Sequence, residues 1–379
     1  MAEDRRITSQ QAVQQAINAQ RAVVAEFMAP ENLRQNVVGL GVGEKLREGR
    51  GTGQLALMAL VTHKVPRDTL SEADLVPSNL QGMPTDVIEV GYPVALAGET
   101  QVMPAVRPAV RQRDGRFALI DTGYAPVEEA EPILVTPQVL THRVRPAQGG
   151  YSVAHVRVTA GTIATGAYDI LPGGSASPPR HGIGTPPKFY VLSNNHVLAN
   201  SNAAAFGDPI LQPGPIDGGR DPEDRIALLS RFIPITFEPP IPRPAHNNLV
   251  DAAIAEVSFQ ELEREIYWIG GVRGWRQKAN VTVNTQVKKV GRTTNLTVGN
   301  ITAIGATVDV SYGGGRVARF TDQIVTTNIS AGGDSGSLVV TLDNIAVGLL
   351  FAGSAVATII NQIENVRALL RVEVAEQIL

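Results

Sequence analysis

Residues 282–329 read TVNTQVKKVGRTTNLTVGNITAIGATVDVSYGGGRVARFTDQIVTTNI. Short runs of Val, Ile, Thr and Ala are broken by Gly-Arg-Thr-Thr-Asn, Gly-Asn and Tyr-Gly-Gly-Gly. Side chains branched at Cβ are stiff about χ1 and pack well on a pleated surface. The breaks are turn material. Repeated short strands with no intervening helix leave few ways to bury an apolar face. The chain must close a barrel or stack a sandwich.

The N-terminal part has a different texture. Residues 8–28 carry Val13, Ile17, Val24 and Phe27 on one helical face, with Thr8 and Gln11 as a capping box and Pro30 as the stop. NVVGLGV and GQLALMALVTHKV follow as two strands joined by the polar GEKLREGRGT. The apolar LALMALV run offers an edge for pairing with a second subunit. LSEADLVPSNLQG reads as a short helical turn and TDVIEVGYPVAL as a further strand. These features predict a small α+β domain over residues 1–145, with RPAQGG (145–150) as a linker and residues 146–379 as a second domain. Within that second domain LPGGSASPPRHGIGTPPK and EPPIPRPAHNN are proline-rich loops. NQIENVRALLRVEV closes the chain as a helix with Ile363, Val366 and Leu370 on one face.

Charged residues make up 18% and the formal charge is −3, so no polyanion-binding surface is expected and nucleic acid is not a predicted partner. The small basic cluster of Lys288, Lys289 and Arg292 reads as an exposed strand end, and Asp217 in GPIDGGRDPED as part of a solvated loop. With no cysteine in the chain, disulfides and thiolate metal sites are ruled out, and a reducing compartment is favoured. MAEDRRITSQQAV lacks the apolar core of a signal peptide, and no segment has the length of a membrane span. The expectation is a cytoplasmic protein without a membrane partner. Gly39, Gly41 and Gly43 are spaced G-x-G-x-G and are followed by charge, which fits a turn better than a nucleotide loop.

The stretch SAGGDSGSLVV (330–340) carries the chemistry. Gly-Gly-Asp-Ser-Gly is poor helix or strand material, and the Leu338-Val339-Val340 run after it is a buried strand. A serine hydroxyl needs a base to act as a nucleophile. Of the six histidines, His196 is best placed, at the end of the apolar strand in FYVLSNNHVLA. His155 lies inside a strand, and His181 and His246 lie in proline-rich loops. In NNLVDAAIAEVS, Asp251 sits among apolar residues, where a carboxylate is costly without a partner. The chain order His196, Asp251, Ser335 excludes the nucleophile-elbow hydrolases, whose serine comes first and whose motif is G-x-S-x-G.

LSNNHVL, NLVDAAIA and GGDSGSLV together resemble the chymotrypsin/trypsin-like serine peptidases over about residues 150–370. VKKVGRTTNLTVGNI resembles the intracellular branch, nearest to the plant narrow-leaf type and its bacterial relatives. The resemblance implies a mainly β protein, with a double β-barrel peptidase domain after the small α+β domain. It implies Ser335 as nucleophile, His196 as general base and acid, and Asp251 as the group that orients His196. Gly333 and Ser335 would supply the N–H groups of an oxyanion hole. Ile329 and Ser330 would shape an uncharged P1 pocket, so cleavage after apolar or small residues is expected. Phe351, Ala352 and Gly353 would pair with an extended substrate. No metal or organic cofactor is required. The partner is a protein or peptide substrate, with a homo-oligomer formed through the N-terminal domain as a further expectation. No Ile-Val-Gly-Gly sequence precedes Tyr151, so Asp334 lacks the amino-terminal partner it has in the digestive enzymes. The competing reading is an oligomeric scaffold with a latent protease fold, and a third is an esterase on the same three residues.

Overall fold

A computed structural model describes residues 10–95 apart from 33 and 35, then 109–111, 117–119, 139–170 and 188–374. The capping residue Thr8, His181 and most of the first proline-rich loop lie outside these residues.

Two rings of strands dominate the structure. The first is built from β4 (Ser152–His155), β5 (Gly161–Thr162), β6 (Gly166–Asp169), β7 (Phe189–Ser193), β8 (Pro209–Leu211), β9 (Arg225–Phe232) and β10 (Ala253–Val257). Their order is β6-β7-β10-β9-β8-β4-β5. β5 runs into β6 through residues 163–165. Ala164 N–H donates to the Leu192 carbonyl at 2.9 Å, so the bent β5–β6 segment pairs with β4 at one end and β7 at the other and closes the ring. Its interior is apolar, with Val153, Ile163, Val191, Ile210 and Ala255 fully buried.

The second ring comprises β11 (Gln286–Gly291), β12 (Asn295–Ser311), β13 (Val317–Thr327), β14 (Leu338–Thr341), β15 (Ile345–Gly353) and β16 (Ala357–Gln362). The order β11-β14-β15-β16-β13-β12 is closed by a β11–β12 pairing. This is the mainly β, two-barrel architecture expected from the strand pattern. Helix α3 (Ile363–Leu370) follows and buries Ile363, Val366 and Leu370 as expected, and the left-handed Arg371 ends it.

The N-terminal elements attach to the second ring. Helix α1 (Gln10–Phe27) buries Val13, Ala16, Val23 and Phe27, with Ile17 and Val24 packed at the margin. Gln20, also buried on that face, satisfies its amide by donating to the Leu40 carbonyl at 2.9 Å. β1 (Val37–Arg47) and β2 (Arg50–Val61) form the expected hairpin, but GEKLREGRGT is not the longer loop its polarity suggested: it continues both strands and turns only at Glu48 and Gly49, both with positive φ. β3 (Met83–Glu89) lies parallel to β2. The 17-residue β12 is long enough to pair with β11 through its first half and with β1 through its second.

Two sequence expectations change here. The LALMALV run is no free edge, because β2 is paired to β1 on one side and β3 on the other. Its apolar character follows from burial on both faces. The RPAQGG stretch is packed rather than a loose linker: Ala147–Gly149 pairs in parallel with Leu262–Ile266, and Ala147 is fully buried.

Candidate active site

His196 lies on the single-turn helix α2 (Asn195–Leu198), directly after β7. Asp251 lies two residues before β10, which is hydrogen-bonded to β7. The pairing of these neighbouring strands sets the two side chains together. Nδ1 of His196 meets Oδ2 of Asp251 at 2.6 Å, and the His196 backbone N–H donates to Oδ1 at 3.1 Å. The Asp251 side chain is fully buried and that of His196 is 3% exposed. Asn194 donates to the Asp251 carbonyl, and the Asp251 N–H donates to Asn361 from the second ring. The other ring nitrogen of His196, Nε2, is buried and has no hydrogen-bond partner among the described residues.

A third group holds the carboxylate, and nothing in the sequence marked it. The hydroxyl of Tyr312 donates to Asp251 Oδ2 at 2.7 Å. Tyr312 follows β12 at the tip of the SYGGGRV hairpin, which reads in sequence as an ordinary turn. Its ring packs edge-on against His196, with centroids 6.0 Å apart, and stacks on Phe320. Burial, reinforced by the neighbouring Asp251 charge, raises the Tyr312 phenol well above its ordinary value, so it remains a donor.

Ser335 reaches the same junction from the second ring. Thr162 of β5 donates its N–H to the Ser335 carbonyl at 2.8 Å and its hydroxyl to the Gly333 carbonyl at 2.8 Å. The Thr162 carbonyl in turn accepts from the hydroxyl of Ser193, three residues before His196. A Cβ on Gly161 would lie 2.5 Å from the side chain of Val197, next to His196, and 3.0 Å from the Ser335 carbonyl oxygen. The serine loop and the histidine turn therefore flank one residue.

The loop has the shape its glycines require. Gly333 and Gly336 have φ of 97° and 98°, and a Cβ on Gly336 would collide with the Thr162 carbonyl and Ser193 hydroxyl oxygens. Among the described residues, neither the Gly333 nor the Ser335 N–H donates to another backbone group. The Thr293 hydroxyl donates to the Gly332 carbonyl at 2.7 Å. Because the peptide unit is planar and trans, this turns the Gly333 N–H away from Thr293.

The structure supplies the charged partner of Asp334. Lys289 Nζ lies 3.2 Å from Asp334 Oδ2, and both side chains are fully buried. Lys289 also donates to the Asn295 carbonyl and the Thr294 hydroxyl, so all three of its protons are used. Asp334 accepts further from the backbone N–H groups of Thr293, Thr294 and Ala331 and from the Thr294 hydroxyl. Burial lowers the Lys289 pKa, and the Asp334 charge opposes that shift.

Lys289 and Arg292 are thus not an exposed strand end. Arg292 is 7% exposed and makes a two-pronged pair with Asp217, which is itself no solvated loop residue. The charges face inward because each has a carboxylate to meet; Lys288 alone is half-exposed.

The residues expected to bind substrate are placed as follows. Ile329 is 1% exposed and packs with Val287 and Ile301 in the core. The Ser330 hydroxyl lies 2.8 Å from that of Thr358 and 3.0 Å from where a Gly353 Cβ would be. Phe351 is buried against Phe320, and Ala352 is 2% exposed. Gly353 has both backbone polar groups engaged by Val94.

No protein-family model matches the chain, and no curated protein matches it. Similar solved structures are chymotrypsin/trypsin-like serine proteases. A glutamic acid specific serine protease is 20% identical with a TM-score of 0.39, over 60% of this chain and 98% of its own. Nocardiopsis protease is 18% identical with a TM-score of 0.41, over 61% and 100%. The HtrA-type protease AlgW is 14% identical with a TM-score of 0.33, over 58% of each chain. The narrower likeness to the plant narrow-leaf type finds no support among them.

Proposed function

We propose that this chain is a serine endopeptidase that works through Ser335, His196 and Asp251. One observation carries the reading: a buried histidine is held by a buried carboxylate through Nδ1, while its Nε2 has no hydrogen-bond partner among the described residues. A base oriented in this way can take the Ser335 proton and return it to the leaving amine. Asp251 fixes the tautomer, with Tyr312 steadying the carboxylate. The Gly333 and Ser335 N–H groups would receive the oxyanion of the tetrahedral intermediate. No step calls for a metal or an organic cofactor.

A preference for apolar or small residues at P1 is part of the proposal, since Ser330 and Gly353 are small and uncharged. We further propose that residues 1–145 act as an accessory unit in a cytoplasmic setting. Oligomerisation through this unit loses its sequence argument now that LALMALV is paired on both sides, and sedimentation and fractionation test both points.

The test is labelling with a small fluorophosphonate, followed by an unbiased peptide-library cleavage profile. Labelling that is lost in Ser335→Ala, together with peptide turnover, is the expected result. Absence of labelling would leave a scaffold built on this fold, and ester turnover without peptide cleavage would make it an esterase.

A further inference from the structure

The end of β15 already carries a strand. Val94 donates its N–H to the Gly353 carbonyl at 2.9 Å, and Gly353 donates back to the Val94 carbonyl at 3.1 Å. The pairing is antiparallel. On its other side the same segment bonds to the end of β12: Ala95 N–H donates to the Ser311 carbonyl at 2.9 Å, and Ser311 N–H to the Pro93 carbonyl at 3.0 Å. The Ser354 hydroxyl donates to the Val90 carbonyl at 2.6 Å. Residues 93–95 thus lie between the two strand ends that flank the site: Gly353 faces Ser330, and Ser311 precedes Tyr312.

This bears on substrate, and it rests on the peptidase reading above. An extended peptide gains main-chain affinity by adding a strand to a free edge. At Gly353 that edge is not free, because one N–H and one C=O are both used by Val94. We infer that residues 93–95 are a tethered occupant of the substrate edge, and that substrates are extended peptides which exchange for it. Binding therefore draws only on the fraction of molecules in which the segment has let go, and the apparent affinity is lowered by that fraction. The exchange also sets a requirement on sequence. The substrate residue that replaces Val94 must donate an N–H to the Gly353 carbonyl, so proline is refused there.

Two experiments decide this. The first compares wild type with Val94→Pro, which removes the strand's own donor. A small fluorophosphonate needs no strand pairing, so its labelling rate should match in the two proteins. KM for a peptide of four or more residues before the cleaved bond should fall roughly fivefold in the variant, the worth of one hydrogen bond, with kcat unchanged. Equal labelling with unchanged KM overturns the inference and makes residues 93–95 a fixed part of the sheet. Failure of wild type to label would instead overturn the peptidase reading.

The second uses wild type alone and does not depend on the variant folding. Ser335 is capped with a peptidyl phosphonate of four residues or with a phosphonate of one. Hydrogen exchange of residues 88–95 should speed up with the long cap and not with the short one. Protection that is identical under both caps would refute the exchange.

Discussion

Replacing Lys289 with methionine tests how the serine loop is held. Methionine keeps most of the aliphatic volume and removes the ammonium. Asp334 would then be left fully buried, with its three backbone donors and one hydroxyl but no opposite charge. Removing one partner of a buried pair costs about 3–5 kcal/mol, because the remaining charge is uncompensated. If that cost falls on the loop alone, the ratio of ordered to disordered loop drops by roughly 100- to 4,000-fold. The fluorophosphonate labelling rate should fall measurably, by up to that factor. If it falls on the whole fold, the urea midpoint moves instead, and labelling of the surviving folded fraction is normal. Lys289→Met with Asp334→Asn should recover most of the lost stability, since no charge is then buried. The reasoning fails if Lys289→Met alone changes stability by less than about 1 kcal/mol and labels at the wild-type rate. It also fails if the double variant is no better than the single.

Tyr312→Phe keeps the ring against His196 and removes the donor to Asp251. A loss of about 1 kcal/mol, roughly fivefold in kcat/KM, is expected. The same variant has a signature in stability. The folded phenol holds its proton above the pH at which an unfolded tyrosine loses it, so wild-type stability should fall as pH rises beyond about 10. In Tyr312→Phe that fall should be shallower in urea titrations from pH 9 to 11. Thr293→Val releases the Gly332 carbonyl and loosens the direction of the Gly333 N–H. A fall in kcat on the order of tenfold at constant KM is expected, smaller than the roughly 10²- to 10³-fold cost of losing an oxyanion donor outright.

The strand pattern made the barrels legible, because β-branched runs with glycine turns leave few alternatives. The His–Asp pair was legible for a similar reason: Asp251 among apolar neighbours required a partner, and strand pairing of β7 with β10 provides one. The supporting contacts were hidden. Tyr312 and Thr293 act across the fold at hairpins whose local sequence says only turn, and Thr162 gains its role from a loop far along the chain. Lys289 looked solvated because a lysine is seldom fully buried. Only the placement of Asp334 makes that burial tolerable. The end of β15 was expected to pair with substrate, and a sequence cannot say that another segment of the same chain is paired there.

The attachment of β1 to β12 has a consequence for how the chain comes to fold. Gly39 pairs with Val308 and Gly43 with Ala303, although helix α1 and its hairpin are made first. During synthesis the hairpin must wait, apolar face uncovered, until the second ring has left the ribosome. Contacts so distant along the chain slow folding and prolong exposure of unpaired strands. The early segment is therefore the part most in need of a chaperone, and one that truncation before β12 would leave with nothing to complete.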